Sequence, residues 1–275
     1  MQGESTGVQA RSRLEDRAFG YLRIPARSIK PRSVGQTIVA DRGLGSHAQA
    51  DLLEVGADFV DWVKICSTTP RLYTEELLRR KIGAYREADV RIFLTGDGFE
   101  LGIGQGVMDR VYADAAELGC AGMEVAAAQV ILSLDARVRL VRQATGHGLH
   151  VFAEVGRKGM SDRRAHAGWL LRQIDALMEA GAYRVLLQGE GIVEDVGEID
   201  ESLLLDLAAH VDLESVVFQA KDARAQRWFI ENLGPDTNLD VDSHQLITLE
   251  LARRGLAKRG LVGLVAGEIE GAGEA

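Results

Sequence analysis

Short apolar segments recur along the chain at intervals of about 20 to 35 residues, and five of the eight end on a charged or amide side chain. They are too apolar for strands with one wet face, so they are typical of parallel strands covered on both sides. The eight segments are Thr37 to Asp41, Phe59 to Lys64, Arg91 to Thr95, Gly122 to Val125, His150 to Glu154, Arg184 to Gln188, Ser215 to Gln219 and Asn238 to Val241.

Stretches with helical spacing lie between the apolar segments. The pattern predicts helices over Glu75 to Glu87, Gly106 to Leu118, Leu134 to Thr145, Ala165 to Ala180 and Ser202 to Val211. Gly56, Gly119 and Gly181 each stand between a helical stretch and the next strand, where a left-handed glycine closes a helix. Strand then helix, repeated eight times in about 250 residues, predicts an α/β protein with a single (β/α)8 TIM-barrel domain.

The domain organisation follows from where this rhythm starts and stops. We expect an N-terminal extension over 1–29, the barrel over 30–258 and a loose C-terminal tail over 259–275. The sequence has no segment that resembles a signal peptide or a membrane span, so a cytoplasmic protein with no membrane partner is expected. The net charge of -9 opposes nonspecific binding to nucleic acid and favours a small-molecule partner.

Two cysteines, Cys66 and Cys120, provide neither a disulfide framework nor a zinc pattern. The expected state of both is a buried thiol. Cys66 follows the second strand and lies near the predicted barrel mouth, so a catalytic thiol is the alternative there.

The chemistry is expected at the carboxyl ends of the strands, where the active sites of barrel enzymes lie. A ring of acids there needs a compensating cation, and oxygen ligands without His or Cys favour Mg2+. Glu124 and Glu154 are the preferred ligand pair, with Asp41 as a further candidate. The alternative is that one or more of them only pairs with Lys64 or an arginine. The strand-end candidates are Asp41, Lys64, Asp97, Glu124, Glu154, Gln188, Gln219 and Asp240.

The segment from Glu154 to Lys158 reads Glu-Val-Gly-Arg-Lys, a strand-end carboxylate followed by a glycine and two cations. Such a loop can place Lys158 over the mouth, where nearby cations and partial burial lower its pKa enough for proton transfer. A solvated basic turn is the alternative.

Several of these motifs resemble the phosphosulfolactate synthase family. The similar stretches are Lys30-Pro-Arg, Gly35-x-Thr-x-Val-x-Asp41-Arg-Gly-Leu44, Asp61-x-Val-Lys64, Phe99-Glu100, Glu124 and Glu154-Val-Gly-x-Lys158. The resemblance runs from about residue 30 to Leu256. It implies a Mg2+-dependent barrel enzyme that adds sulfite to phosphoenolpyruvate, a small anionic substrate, and it implies a homo-oligomer.

By this resemblance Lys158 occupies the position of the family's candidate general acid, and Lys64 and Arg42 match basic positions that hold anionic groups. We therefore predict Lys158 and Lys64 as catalytic residues. The predicted substrate-binding residues are Arg42, Arg157, Gln188, Glu190, Gln219 and Lys221.

The sequence departs from the family pattern after three strands. Glu124 is followed by Val-Ala-Ala-Ala instead of Ser-Asp-Gly, Glu190 stands where the family has an arginine, and Gln219-Ala-Lys221 replaces Glu-Ala-Pro. Thr95-Gly-Asp97 and the segment from Gly234 to Asp242 look closer to the plant heat-stress-associated branch of the same family. Two alternatives to the synthase follow: a barrel that has lost catalysis and acts as a stress-related interaction protein, or an enzyme acting on a different small anion.

Overall fold

The eight strands close into a parallel barrel in which each strand pairs with the next and β8 pairs with β1. The computed structural model describes residues 17–22, 24–66, 69–96, 98–127, 130–156 and 166–257. The strands are β1 Thr37–Asp41, β2 Trp62–Ile65, β3 Arg91–Leu94, β4 Gly122–Val125, β5 His150–Val155, β6 Arg184–Leu187, β7 Val216–Gln219 and β8 Asn238–Asp242.

Helices alternate with the strands, so the chain is a single-domain (β/α)8 TIM barrel, as the sequence predicted. No helix within the described ranges is both long and apolar enough to span a membrane. The helices are α1 Ser46–Gly56, α2 Thr69–Leu72, α3 Glu75–Glu87, α4 Glu100–Gln105, α5 Met108–Glu117, α6 Leu134–Gly146, α7 Ala167–Glu179, α8 Glu201–Ala208, α9 Ala223–Leu233 and α10 Leu246–Arg253.

Successive side chains of a strand point to opposite faces, so alternate residues enter the barrel interior. Five inward residues form a closed apolar cluster, Ile38, Trp62, Phe93, Phe152 and Val217. The rings of Phe93 and Phe152 stack with centroids 4.2 Å apart, and Trp62 meets Phe152 edge-on at 5.0 Å. We call this cluster the aromatic plug, because it fills the lower half of the barrel with packed side chains.

Most predicted boundaries agree with the structure to within a few residues, and two are corrected. The second strand begins at Trp62 rather than at Phe59, because Ala57–Phe59 forms a 3-10 turn. The predicted helix from Gly106 to Leu118 begins only at Met108. Gly106 has a φ of 67° and ends the preceding short helix α4, so a continuous helix cannot pass through it.

The helix-closing glycines are confirmed at two of three positions. Gly119 and Gly181 have φ values of 90° and 100°, which favour glycine. Gly56 has a φ of -135°, so the predicted left-handed closure is wrong there. Glycine is needed at this position for a different reason, because a Cβ would lie 2.2 Å from Cδ2 of Leu246 on α10.

The segment over residues 24–36 packs across the N-terminal face, by which we mean the end of the barrel where the strands begin. The Arg27 side chain is buried there and pairs with Glu250 of α10, while its Nη2 donates to the Gly35 carbonyl at 2.7 Å. Arg32 pairs with buried Asp61, which also accepts from the Thr37 amide. Part of the predicted extension is thus bound to the barrel through buried charges.

We expect Phe93→Ala to lower the free energy of unfolding by about 3–5 kcal/mol, because it empties a fully buried position in the aromatic plug. Urea unfolding followed by circular dichroism measures the change. The matched control is Leu101→Ala at a position that is 68% exposed, where the expected change is within about 0.5 kcal/mol. Equal effects of the two substitutions would contradict the packing role of the plug.

Candidate active site

The upper half of the barrel interior is polar, in contrast to the plug beneath it. Residues two apart on a strand point to the same face, so the inward residues after Trp62, Phe152 and Val217 are Lys64, Glu154 and Gln219. We define the barrel mouth by the inward, buried residues at the carboxyl ends of the strands, which are Lys64, Thr95, Glu124, Glu154, Gln188, Gln219 and Asp240. Except for Thr95, all were strand-end candidates in the sequence.

Lys64 forms a buried ion pair with Asp240 across the mouth. Burial alone disfavours the charged amine, but the carboxylates of Asp240 and Glu124 outweigh burial and raise the pKa of Lys64. Lys64 is therefore an ammonium at neutral pH. Within the described residues the second carboxylate oxygen of Asp240, Oδ1, has no hydrogen-bond partner although it is buried. The pair consequently offers a fixed positive charge and an available acceptor.

Glu124 and Glu154 lie one residue before the ends of the neighbouring strands β4 and β5, and both belong to the mouth. Arg137 of α6 supports the end of β5 from outside the barrel, because its guanidinium donates to the Glu154 backbone carbonyl and, at 2.6 Å, to Gln173 Oε1. Burial lowers the pKa of Arg137 and the charge of Glu154 opposes that shift. The arrangement fixes the backbone from which the Glu154 carboxylate projects.

Gln188 and Gln219 carry amides at the ends of β6 and β7. Gln219 Oε1 accepts from the Gly189 amide at 3.2 Å, whereas neither amide atom of buried Gln188 has a hydrogen-bond partner within the described part of the chain. Buried amides without partners are costly, so Gln188 is suited to receive a ligand. Gly156 has a φ of 108° and a Cβ there would meet Gln188 Cβ at 2.7 Å, so only glycine lets the β5 loop pass this close.

The structure does not bring Asp41 together with the two glutamates. Ile38 and Ala40 share the inward phase of β1, so Asp41 faces outward. Its carboxylate lies 2.5 Å from Lys81 Nζ, accepts from the Tyr85 hydroxyl at 2.8 Å, and accepts from the backbone amides of Gly43 and Leu44. These contacts give Asp41 a role in holding α3 and the β1 loop to the barrel.

The remaining predicted residues lie on the rim or outside the described ranges. Arg42 Nε lies 2.9 Å from Asp242 Oδ1, and Lys221 Nζ lies 3.2 Å from Glu194 Oε2. Glu190 is half-buried in the loop after β6, where its backbone forms an isolated β-bridge with the backbone of Glu194. Arg157, Lys158 and Asp97 lie outside the described residues, so their roles stay predictions.

Comparison with known proteins agrees with this geometry. The family model for (2R)-phospho-3-sulfolactate synthase, ComA, matches residues 25–259, which is the whole barrel. The chain belongs to the phosphosulfolactate synthase family. It is 31% identical over 247 residues to phosphosulfolactate synthase of Methanothermobacter thermautotrophicus, covering 87% of this chain and 95% of that protein.

Two further family members and two solved structures complete the comparison. Phosphosulfolactate synthase of Bacillus subtilis is 28% identical, covering 86% of this chain and 95% of that protein. HEAT-STRESS-ASSOCIATED 32 of Arabidopsis thaliana is 24% identical, covering 82% and 88%. The structures of 3-hexulose-6-phosphate synthase from Salmonella typhimurium (TM-score 0.52, 13% identity, 81% and 94% coverage) and the putative copper homeostasis protein CutC from Streptococcus agalactiae (0.51, 13%, 76% and 98%) share the fold.

The sequence did not predict three residues that support the strand ends and loops around this site, namely Lys81, Arg137 and Glu194. Lys81 and Arg137 had a usable signal, because each occupies the apolar face of its helix, alongside Leu78 and Ile82 on α3 or Val141 on α6. A buried cation at such a position implies a buried partner. Glu194 had no such signal, since it lies in a loop whose path the sequence did not predict.

We expect Asp41→Asn to lower the free energy of unfolding by about 3–5 kcal/mol, because it leaves the buried ammonium of Lys81 without its counter-charge. Binding of a divalent cation at the mouth, measured by calorimetry, is expected to be the same in the variant as in the wild type. The control is Asp51→Asn on the exposed part of α1, with a change within about 0.5 kcal/mol. Loss of divalent-cation binding at unchanged stability would instead make Asp41 a metal ligand.

Burial raises the pKa of both Cys66 and Cys120 to about 12, and at Cys66 the nearby carboxylates add to the effect while Lys64 opposes it. Both thiols are therefore protonated at neutral pH, which argues against a catalytic thiolate. Absorbance at 240 nm is expected to show no thiolate between pH 7 and pH 9.5 in the folded protein. In urea it is expected to rise near pH ~8.5. A rise in the absorbance of the folded protein near pH 7 would contradict the assignment of protonated thiols.

Proposed function

We propose that this protein adds sulfite to phosphoenolpyruvate in a Mg2+-dependent reaction of the phosphosulfolactate synthase type. The observation that carries the proposal is the barrel mouth, in which the buried ammonium of Lys64 faces the same interior as Glu124 and Glu154. The family match over residues 25–259 supports it, because it includes every strand that contributes to this mouth. A small anionic substrate suits a site that offers a fixed cation and buried amide donors.

The mouth has donors that fit Mg2+, which takes oxygen ligands and keeps several of its waters. Glu124 and Glu154 provide two carboxylates, and the Gln188 amide oxygen provides a third donor. Among the described residues no group of three or more His, Cys, Asp or Glu side chains is arranged to hold a metal ion. We therefore propose two carboxylates, an amide and water as the ligand set, and we leave Asp41 out of it.

The proposed reaction forms a bond between the sulfur of sulfite and C3 of phosphoenolpyruvate. The π electrons move to C2 and the carboxylate, giving an aci-carboxylate, and a proton is added at C2 while the phosphate ester stays intact. A bound Mg2+ supplies stabilisation of the negative charge on that carboxylate. Lys64 cannot accept a proton at neutral pH, so its role is to hold an anionic group of the substrate. We assign the proton transfer to C2 to Lys158, and contacts to substrate oxygens to Arg42, Arg157 and Gln219.

A second candidate is an enzyme of the same mechanism acting on a different small anion. It is favoured by the loop after β6, where Glu190 replaces the arginine expected from the family pattern and Glu194 pairs with Lys221. An acid in place of an arginine weakens the binding of a multiply charged anion. Lys221 stands next to the end of β7 and its charge is paired with Glu194, so Glu190 leaves this part of the rim with a net negative charge. Glu190 and Lys221 become specificity residues in this candidate.

A homo-oligomer in the cytoplasm is also proposed, on the resemblance alone. Size-exclusion chromatography with light scattering measures the number of subunits. A monomer at the highest accessible concentration would rule out the oligomer without affecting the proposed chemistry.

The test is incubation of purified protein with phosphoenolpyruvate, sulfite and Mg2+, with detection of the sulfonate by mass spectrometry. Lys158→Ala is expected to lower kcat by about 10²- to 10⁴-fold, as for loss of a general acid. Glu124→Gln is expected to weaken Mg2+ binding in calorimetry, and chelation by EDTA to stop turnover. Arg79→Gln on the exposed face of α3 is the matched control and should leave both unchanged.

Three outcomes separate the hypotheses. Sulfonate formation that depends on Lys158 supports the synthase. Turnover of phosphoenolpyruvate with another nucleophile, or of another carboxylated phosphate ester, supports the second candidate. Absence of Mg2+ binding and of turnover with every small anion tested would overturn both and favour a barrel that acts as an interaction protein.

A further inference from the structure

A second polar cavity lies at the N-terminal face, on the opposite side of the aromatic plug from the barrel mouth. It has a volume of about 360 Å³ and runs between the segment over residues 24–36, the turn after α1 and the end of α10. Its polar lining comes mainly from Arg17, Ser28, Lys30, Arg32, Asp89 and Arg254. None of these side chains belongs to the mouth, so the proposed reaction does not use this cavity.

Positive charge is in excess around this cavity. In the described part of the chain, the residues that line the cavity carry four cations against two carboxylates. The cations are Arg17, Lys30, Arg32 and Arg254. The carboxylates are Asp58 and Asp89, and from behind the wall Asp61 pairs with Arg32 and Glu250 with Arg254. Burying an excess of one charge is costly, and a bound anion would remove that cost.

Ser28 and Lys30 belong to the lining of the cavity. Ser28 Oγ is fully buried and has no hydrogen-bond partner among the described residues. Lys30 Nζ donates to the backbone carbonyls of Asp89 and, at 3.1 Å, of Ala57, and it lies 3.9 Å from the nearest carboxylate oxygen of Asp89. Burial lowers the pKa of Lys30, and the charges of Arg32 and Arg91 add to that effect while Asp89 and Asp61 oppose it. Burial is thus the main cause of the lowered pKa, and a bound anion would offset it by favouring the ammonium.

We propose that this cavity binds the phosphate group of a small anionic metabolite. A phosphate offers several acceptor oxygens, which match the Ser28 hydroxyl, the Lys30 ammonium and the arginines that line the wall. Binding joins the segment over residues 24–36 to the end of α10, because Ser28 and Lys30 come from the former and Arg254 follows the latter. The expected consequence is stabilisation of the N-terminal face and not participation in the reaction at the mouth.

The experiment titrates inorganic phosphate into the full chain and measures binding by calorimetry and the thermal unfolding midpoint. The same titration on Lys64→Gln, which removes the buried cation of the mouth, distinguishes phosphate bound at the mouth from phosphate bound in this cavity. Phosphate is expected to bind and, at ten times Kd, to raise Tm by about 3 °C. Lys30→Gln is expected to raise Kd about tenfold. Ser28→Ala removes one donor without changing the charge and is expected to raise Kd by about threefold.

The matched control is Arg110→Gln, which removes one cation from an exposed position on α5 and should leave Kd unchanged. Circular dichroism verifies that each variant is folded, and the milder Ser28→Ala keeps the test decisive if Lys30→Gln is not. Equal phosphate affinity in the wild type, Ser28→Ala and Lys30→Gln would overturn the proposal. So would phosphate binding that Lys64→Gln abolishes, because that result assigns the anion to the mouth. Neither outcome bears on sulfonate formation.

Discussion

Closure of the strands into a ring is the constraint on which the rest of this structure depends. Once the ring is closed, every second side chain of a strand must enter a narrow interior. The lower interior accepts Trp62, Phe93 and Phe152, which pack on one another, and the upper interior accepts charged and amide groups. The concentration of Lys64, Glu124 and Glu154 in one space follows from this geometry and from no local feature of any one segment.

The strands and their order could be predicted from the sequence, but the phase of the side chains could not. A strand buried on both faces is apolar throughout, so its sequence does not reveal which residues turn inward. Asp41 and Glu124 both end or nearly end a predicted strand, yet Ala40 rather than Asp41 has the inward phase on β1. An error of one residue in the phase of a strand therefore decides whether a carboxylate is predicted to line the mouth or, like Asp41, to hold a helix to the barrel.

Electrostatic pairing explains why the polar interior is tolerated. Lys64 is held charged by Asp240, and Asp41 is satisfied by Lys81, Tyr85 and two backbone amides. Such partners come from strands and helices far apart in the sequence, and only the folded chain reveals them. Lys81 and Arg137 were nevertheless visible as cations on apolar helix faces, which is the kind of signal that sequence reasoning can use.

The aromatic plug determines how a ligand can enter and leave the barrel interior. Within the described residues, the packed rings fill the barrel axis below the mouth, so a ligand reaches the upper interior from the carboxyl ends of the strands. Whatever enters the mouth must leave by the same route. A molecule bound deep in the interior therefore cannot leave before a molecule that bound after it and above it, so the order of binding determines the order of release.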